Sequence, residues 1–255
     1  MAKIILLHGL HMHSWVMKPL AYLLEQEGFE VALFDYCSVL HSMNRHVEDL
    51  ARWIDENHAD ETLHFVGHSL GGLVLRNFAA AYPDKVSGRI VTMGTPHQGS
   101  RAAQRVLNLG LQKPVLGGSY KGALDGSMPE LPVSVELGSI AGNKPYGLGR
   151  VLGLHGEHDG TVLVSETHCP NMRDHVVLPV SHSGMLFNRK TAGQVVAFCM
   201  MDILKSNKTP FILIKKYFIL NNLFILKKMA RICERCFLKI ISRPSETGFS
   251  DGLLC

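Results

Sequence analysis

Val66-Gly67-His68-Ser69-Leu70-Gly71-Gly72 is the most informative segment of this chain. It fits the pattern G-x-S-x-G, follows a strand-like run over 62–66 and precedes a helical run over 70–82. A sharp strand-to-helix turn forces its serine into a strained backbone conformation and lifts the hydroxyl clear of the sheet. The N-terminus of the following helix also directs N–H groups at developing negative charge. Glycine-rich loops contain this pattern by chance, but the flanking strand and helix favour a nucleophilic Ser69 over a simple turn.

Strand and helix patterns alternate on both sides of this turn. Strands are predicted over 3–8, 30–35, 62–68, 88–93, 133–141 and 174–180, and a short strand over 150–154 is an alternative to a loop. Apolar residues recur at helical spacing between them and again in a last helix near 192–203. Residues 97–131 have no strand pattern, so we expect a short cap there. The alternation predicts an α/β fold, a mostly parallel sheet of about six strands with helices on both faces.

Composition and charge divide the chain near residue 204. Hydrophobic residues make up 46% and charged residues 19% of the 255 residues, which is ordinary for a globular domain. Residues 1–204 carry 16 Lys and Arg against 19 Asp and Glu, whereas residues 205–255 carry 10 against 3. The net charges are therefore −3 and +7, which give the +4 of the whole chain. The basic character belongs to the tail, and we expect no nucleic-acid partner for the domain over 1–204.

The tail over 205–255 has two interpretations. Its apolar runs alternate with polar pairs, and none reaches the roughly 18 apolar residues of a membrane span. A basic, hydrophobic segment of this kind can make weak contact with a membrane surface. The other interpretation, which we prefer, is an appendage that the domain does not need. Cys233-Glu234-Arg235-Cys236 lacks a second ligand pair, so we expect no metal there.

The cysteines and the N-terminus favour a cytoplasmic location. Six cysteines in 255 residues show no spacing typical of a disulfide framework. The apolar run over 4–7 is too short for the core of a secretory signal.

A nucleophilic serine needs a base and a carboxylate that orients the base. His182 comes just after the last predicted strand and before the last helix, as the chain order of serine, acid and histidine requires. Asp159 lies between them, 23 residues before His182, and Gly160 after it permits a sharp turn. The alternatives that we considered are the acids Glu157 and Asp125 and the histidines His97, His155, His158, His168 and His175.

The second requirement is a pair of N–H donors for the oxyanion. His8 and Gly9 follow the first predicted strand, and a glycine there lets the backbone approach the reacting carbonyl. We expect the N–H groups of Leu10 and Leu70 to form the oxyanion hole.

These motifs resemble the α/β-hydrolase superfamily, and most of all its lipase-like branch. They are residues 4–9, 67–72, 94–99 and 159–162 and the serine–histidine pair near 182, and together they span about residues 3–204. That branch includes bacterial triacylglycerol lipases and deacylases of glycosylphosphatidylinositol anchors. The resemblance implies ester hydrolysis by Ser69, Asp159 and His182. It also places the substrate site beside four further residues, namely His8, Gly9, His97 and Val162.

The sequence therefore predicts a serine hydrolase of carboxylic esters, which forms an acyl-enzyme on Ser69. The substrate is expected to be a small-molecule or lipid ester, with no cofactor and no metal. A thioesterase, a peptidase or an acyltransferase could use the same residues, and so could an inactive module that binds lipid or a partner. The cap is short, which argues against specificity for long-chain triglycerides.

Overall fold

A computed structural model describes residues 2–59, 61–147 and 153–201 of the chain. Within these residues, six parallel strands form one sheet in the order β2-β1-β3-β4-β5-β6. The strands are β1 (Lys3–Leu7), β2 (Glu30–Phe34), β3 (Leu63–His68), β4 (Ile90–Met93), β5 (Leu137–Gly142) and β6 (Asp174–Leu178). The predicted fold class is confirmed: the sheet is parallel, and its central strands β3 and β4 are buried at every position, as in a sheet that is covered on both faces.

The predicted start of the fifth strand is wrong. We expected a strand from residue 133, but β5 begins at Leu137. The preceding residues form a turn in which the Val135 N–H donates to the Pro132 carbonyl. Val133 lies on this turn and is 90% exposed. A β-branched residue next to a buried strand imitates the start of that strand, although it contributes nothing to the core.

Four helices cover the sheet. They are α1 (Lys18–Glu25), α2 (Met43–Asn57), α3 (Leu70–Ala81) and, at the end of the domain, α6 (Arg189–Met201). Helix α1 packs against α6, and α2 packs against α3. Helix α2 buries only one face, whereas α3 is buried on most sides because it lies between the sheet and α2. The side chain of Ser42 caps α2 by accepting the N–H of Arg45.

The segment between β4 and β5 forms the cap. It contains α4 (Arg101–Asn108), α5 (Gln112–Val115) and a short 3-10 turn, Gly117–Ser119. The Ser119 hydroxyl donates to the Ser38 carbonyl at 2.6 Å, and the Val115 carbonyl lies 2.6 Å from the ring Nε2 of His11. These bonds hold the cap against the loops that follow β1 and β2.

The described residues belong to one compact unit, which spans Met1–Lys208. Among the described residues, no helix combines the length and the apolar character that crossing a membrane requires. The tail over 205–255 lies outside the described residues, and so does most of the alternative strand over 150–154.

Candidate active site

Ser69 occupies a strained turn between β3 and α3. Its backbone has φ 54° and ψ −119°, a conformation that residues with a side chain rarely adopt. Two hydrogen bonds tie this turn to the end of β4 and the residues after it. The Ser69 N–H donates to the Met93 carbonyl at 2.8 Å, and the Thr95 hydroxyl donates to the Ser69 carbonyl at 2.9 Å. The end of β4 and the residues after it therefore fix the serine in place.

Glycine is required around this serine because the backbones pass too closely for a Cβ. A Cβ on Gly67 would overlap the backbone N of Gly72, and one on Gly72 would overlap the Thr95 side chain. A Cβ on Gly71 would lie 2.6 Å from the Leu7 carbonyl oxygen, well inside van der Waals contact. The positions of glycine in the motif therefore follow from the short distance between strand and helix at this turn.

Asp159 and His182 form a buried pair. The His182 Nδ1 lies 2.7 Å from the Asp159 Oδ2, and the His182 N–H donates to the Asp159 carbonyl at 2.8 Å. The other carboxylate oxygen, Oδ1, accepts the N–H groups of Thr161 at 2.9 Å and Val162 at 2.8 Å. Burial acts to raise the pKa of Asp159, but the neighbouring His182 and these N–H groups outweigh it. The net pKa is below the ordinary value, so this carboxyl is ionised at neutral pH.

The pair lies beside the turn that carries Ser69. Gly94 follows Met93 directly, and a Cβ on Gly94 would lie 2.9 Å from both the Asp159 Oδ2 and the His182 Nδ1. The rings of His68 and His182 are 4.6 Å apart between centroids. The structure therefore brings together the three predicted catalytic residues, which follow the carboxyl ends of β3, β5 and β6. The Ser69 hydroxyl has no hydrogen-bond partner among the described residues, and such contacts often tighten only when substrate binds.

The loop after β1 lies against the serine. A Cβ on Gly9 would be 3.2 Å from the Ser69 Cβ, so any larger residue would press on the nucleophile. Leu70 is the first residue of α3, and its N–H has no partner inside the helix. Neither this N–H nor that of Leu10 donates to another described residue. Both donors are thus free to bind an oxyanion.

The four residues predicted to line the substrate site are buried. His8 is fully buried, stacks on Tyr36 and places its Nδ1 2.9 Å from the Gly9 carbonyl. Burial lowers the pKa of His8. His97 is 2% exposed, and its Nε2 lies 3.0 Å from the Thr92 hydroxyl of β4. Val162 is 2% exposed and serves Asp159 through its N–H. In this structure the rings of His8 and His97 have hydrogen-bond partners within the protein, and Val162 acts through its main chain.

The rival acids and histidines have other partners. The Asp125 carboxylate accepts N–H groups within its own turn in the cap, and the Glu157 side chain is exposed. His168 stacks on His175, whose Nε2 bonds Thr167. The remaining rivals are His155, which is exposed, and His158, whose Nδ1 accepts the Gly160 N–H.

Comparisons with known proteins agree with this architecture. Residues 3–113 match the family described as the alpha/beta hydrolase fold. The mature lipase BlEst2 of Bacillus licheniformis is similar with a TM-score of 0.65 and 19% identity, over 77% of this chain and 90% of that one. The metagenomic carboxyl esterase MGS0156 gives 0.61 and 15%, over 79% and 76% of the two chains. Phospholipase PlaB of Legionella pneumophila gives 0.61 and 16%, over 85% and 61%. No curated protein matches significantly.

The chain has the α/β-hydrolase fold, and its structure is similar to lipase and esterase structures of that fold, as the sequence motifs predict.

Proposed function

We propose that this protein hydrolyses carboxylic esters through an acyl-enzyme on Ser69. One observation carries the proposal: an ionised, buried Asp159 bonds the ring of His182 beside a serine held at a positive φ. A carboxylate on Nδ1 leaves the other ring nitrogen, Nε2, free to accept a proton. This is the arrangement that converts a weak hydroxyl nucleophile into a reactive one.

The reaction would run in two halves. His182 accepts the Ser69 proton as the hydroxyl oxygen attacks the ester carbonyl, and the N–H groups of Leu10 and Leu70 bind the oxyanion. When the tetrahedral intermediate collapses, His182 donates that proton to the leaving alcohol. Water then attacks the acyl-enzyme by the same route and releases the acid. Asp159 stays ionised throughout and stabilises the imidazolium.

The substitution Ser69→Ala tests this proposal. Hydrolysis of p-nitrophenyl butyrate should fall by about 10⁴- to 10⁶-fold, the loss expected when one member of such a unit is removed. Ser165→Ala is the matched control, since Ser165 is an exposed serine with no role in the site. A fluorophosphonate probe should label the wild-type chain and the control but not Ser69→Ala. Turnover or labelling of Ser69→Ala at the wild-type rate would refute the assignment.

The same probe separates an enzyme from an inactive binding module, because only an activated serine reacts with it. An acyl-chain series from acetate to palmitate, offered as oxygen esters and as thioesters, then defines the substrate. Given the short cap, we expect short acyl esters to be hydrolysed faster than long ones. A preference for thioesters would instead assign a thioesterase.

A further inference from the structure

His68 lies within the serine motif but has no place in the mechanism above. It is the last residue of β3, directly before Ser69, and its side chain is fully buried. Its ring Nε2 lies 3.0 Å from the main-chain carbonyl of His182. A carbonyl oxygen only accepts hydrogen bonds, so the His68 Nε2 carries the proton and donates it. Its Nδ1 has no hydrogen-bond partner within the part of the chain that the structure describes.

This hydrogen bond differs from the others of His182 in the segment that it reaches. The main-chain N–H of His182 and its ring both bond to Asp159, so two of its attachments belong to the acid loop. Among the hydrogen bonds of the described residues, the one from His68 alone joins residue 182 directly to the turn that carries the serine. The Ser69 hydroxyl does not itself bond His182. The hydrogen bond from His68 is therefore the one that links the segment of His182 to the segment of Ser69.

We propose that His68 is a positioning residue, whose ring N–H holds the main chain of His182 in line with the Ser69 hydroxyl. This inference rests on the proposed function. The burial of His68 lowers its pKa to about 3, so its ring is neutral at working pH and keeps one defined tautomer. A fixed donor on the nucleophile's own strand then sets the approach of the base, and a misplacement of about 1 Å in such a site costs about 100-fold in rate.

The pair His68→Met and His68→Gln isolates the hydrogen bond. The two side chains are unbranched and similar in size, but only glutamine has an amide N–H near the position of the ring Nε2–H. We expect kcat on p-nitrophenyl butyrate to fall about 10- to 100-fold in His68→Met, with KM within about threefold of wild type. His68→Gln should recover most of the loss. Equal losses in both variants, or none in His68→Met, would overturn the proposal.

His64→Met is the matched control. His64 is another buried histidine of β3 whose ring makes one bond to a main-chain group, since its Nδ1 accepts the Arg89 N–H at 3.0 Å. It lies four residues from His68, about 13 Å along the strand. Its loss should lower thermal stability but leave kcat unchanged. An equal fall in kcat for His64→Met would show that the effect is general destabilisation and refute the positioning role.

A replacement variant and two combinations of results separate the positioning role from the proposed function. If His68→Met does not fold, His68→Asn replaces it, because its shorter amide does not reach the His182 carbonyl and the same loss is expected. If Ser69→Ala is inactive while His68→Met retains full kcat, the proposed function stands and the positioning role fails. If the wild-type chain neither turns over the ester nor reacts with the fluorophosphonate, both fail.

Discussion

The substitution Asp159→Asn changes one atom at the centre of the site, and its effect follows from the hydrogen bonds of the carboxylate. The Oδ1 accepts two N–H groups, from Thr161 and Val162, and the Oδ2 faces the His182 Nδ1. An asparagine must keep its oxygen on the two N–H donors, because the opposite orientation would leave them facing an amide NH₂, at about 1–3 kcal/mol for each lost bond. The amide NH₂ therefore points at the His182 Nδ1.

That orientation inverts the tautomer of the base. A donor opposite the His182 Nδ1 makes this nitrogen the acceptor, so the ring proton moves to Nε2. An Nε2–H cannot accept the Ser69 proton. We expect kcat to fall about 10⁴-fold, which corresponds to about 5 kcal/mol of transition-state stabilisation at about 1.4 kcal/mol for each factor of ten.

The assay is the initial rate of p-nitrophenyl butyrate hydrolysis over a range of substrate concentrations, with a thermal melt to show that the variant is folded. Asp125→Asn is the control, because that carboxylate also accepts main-chain N–H groups but lies in the cap. It should retain wild-type kcat. Activity of Asp159→Asn within tenfold of wild type would refute the reasoning, and a 10⁴-fold loss in Glu157→Gln instead would transfer the role to that acid.

Three further predictions concern stability and the extent of the domain. Gly67→Ala should abolish folding, since its Cβ would overlap backbone atoms of Gly72. The control is Gly110→Ala, where φ is 71° and no atom lies within 4 Å of the added Cβ. It should lower the free energy of unfolding, measured by chemical denaturation, by only about 1–2 kcal/mol. Thermal stability should fall as the pH drops from 6.5 towards 4. Burial lowers the pKa of His46 and His64 to about 4 and that of His97 to about 3 in the folded protein. The same histidines take up protons near pH 6.5 in the unfolded chain, so acid favours unfolding. Each such histidine costs about 2 kcal/mol at pH 5, at about 1.4 kcal/mol for each pH unit below 6.5, so a constant Tm between pH 7.5 and 5 would contradict the burial argument. Truncation after Lys205 should leave ester hydrolysis unchanged, and a chain that no longer folds would show that the tail packs on the domain.

The fold could be predicted from the sequence because a parallel sheet leaves a local signature at each strand. Strand β1 is apolar after Lys3 and does not alternate with polar residues, because both faces of the sheet are covered. The turn after β3 needs glycine at fixed positions. The cap lacks such a signature. Helix α4 is short and buries only Ala102 and Ala103 along its length, so its pattern over one or two turns is too weak to separate it from a loop.

Some residues of the candidate site can likewise be predicted from local sequence, and others cannot. Ser69 and Asp159 sit on turns that need glycine neighbours, and such turns can be recognised in a sequence. The role of His68 depends on which ring nitrogen faces the His182 carbonyl, and the role of Thr95 depends on its reach to the Ser69 carbonyl. These are distances between segments far apart in the chain, and no local pattern encodes them.

The mechanism proposed above needs different behaviour from two neighbouring buried histidines, His68 and His182. In that mechanism His182 becomes an imidazolium during each half-reaction, and the His68 ring lies 4.6 Å away between centroids. A second positive charge at that distance would oppose it by about 3.6 kcal/mol at an effective dielectric constant of 20, enough to slow the reaction roughly 400-fold. Complete burial keeps His68 neutral, whereas His182 has the Asp159 carboxylate 2.7 Å from its Nδ1. In the proposed mechanism the two imidazoles therefore act differently: His68 keeps its proton and donates it to the His182 carbonyl, and His182 exchanges a proton with Ser69.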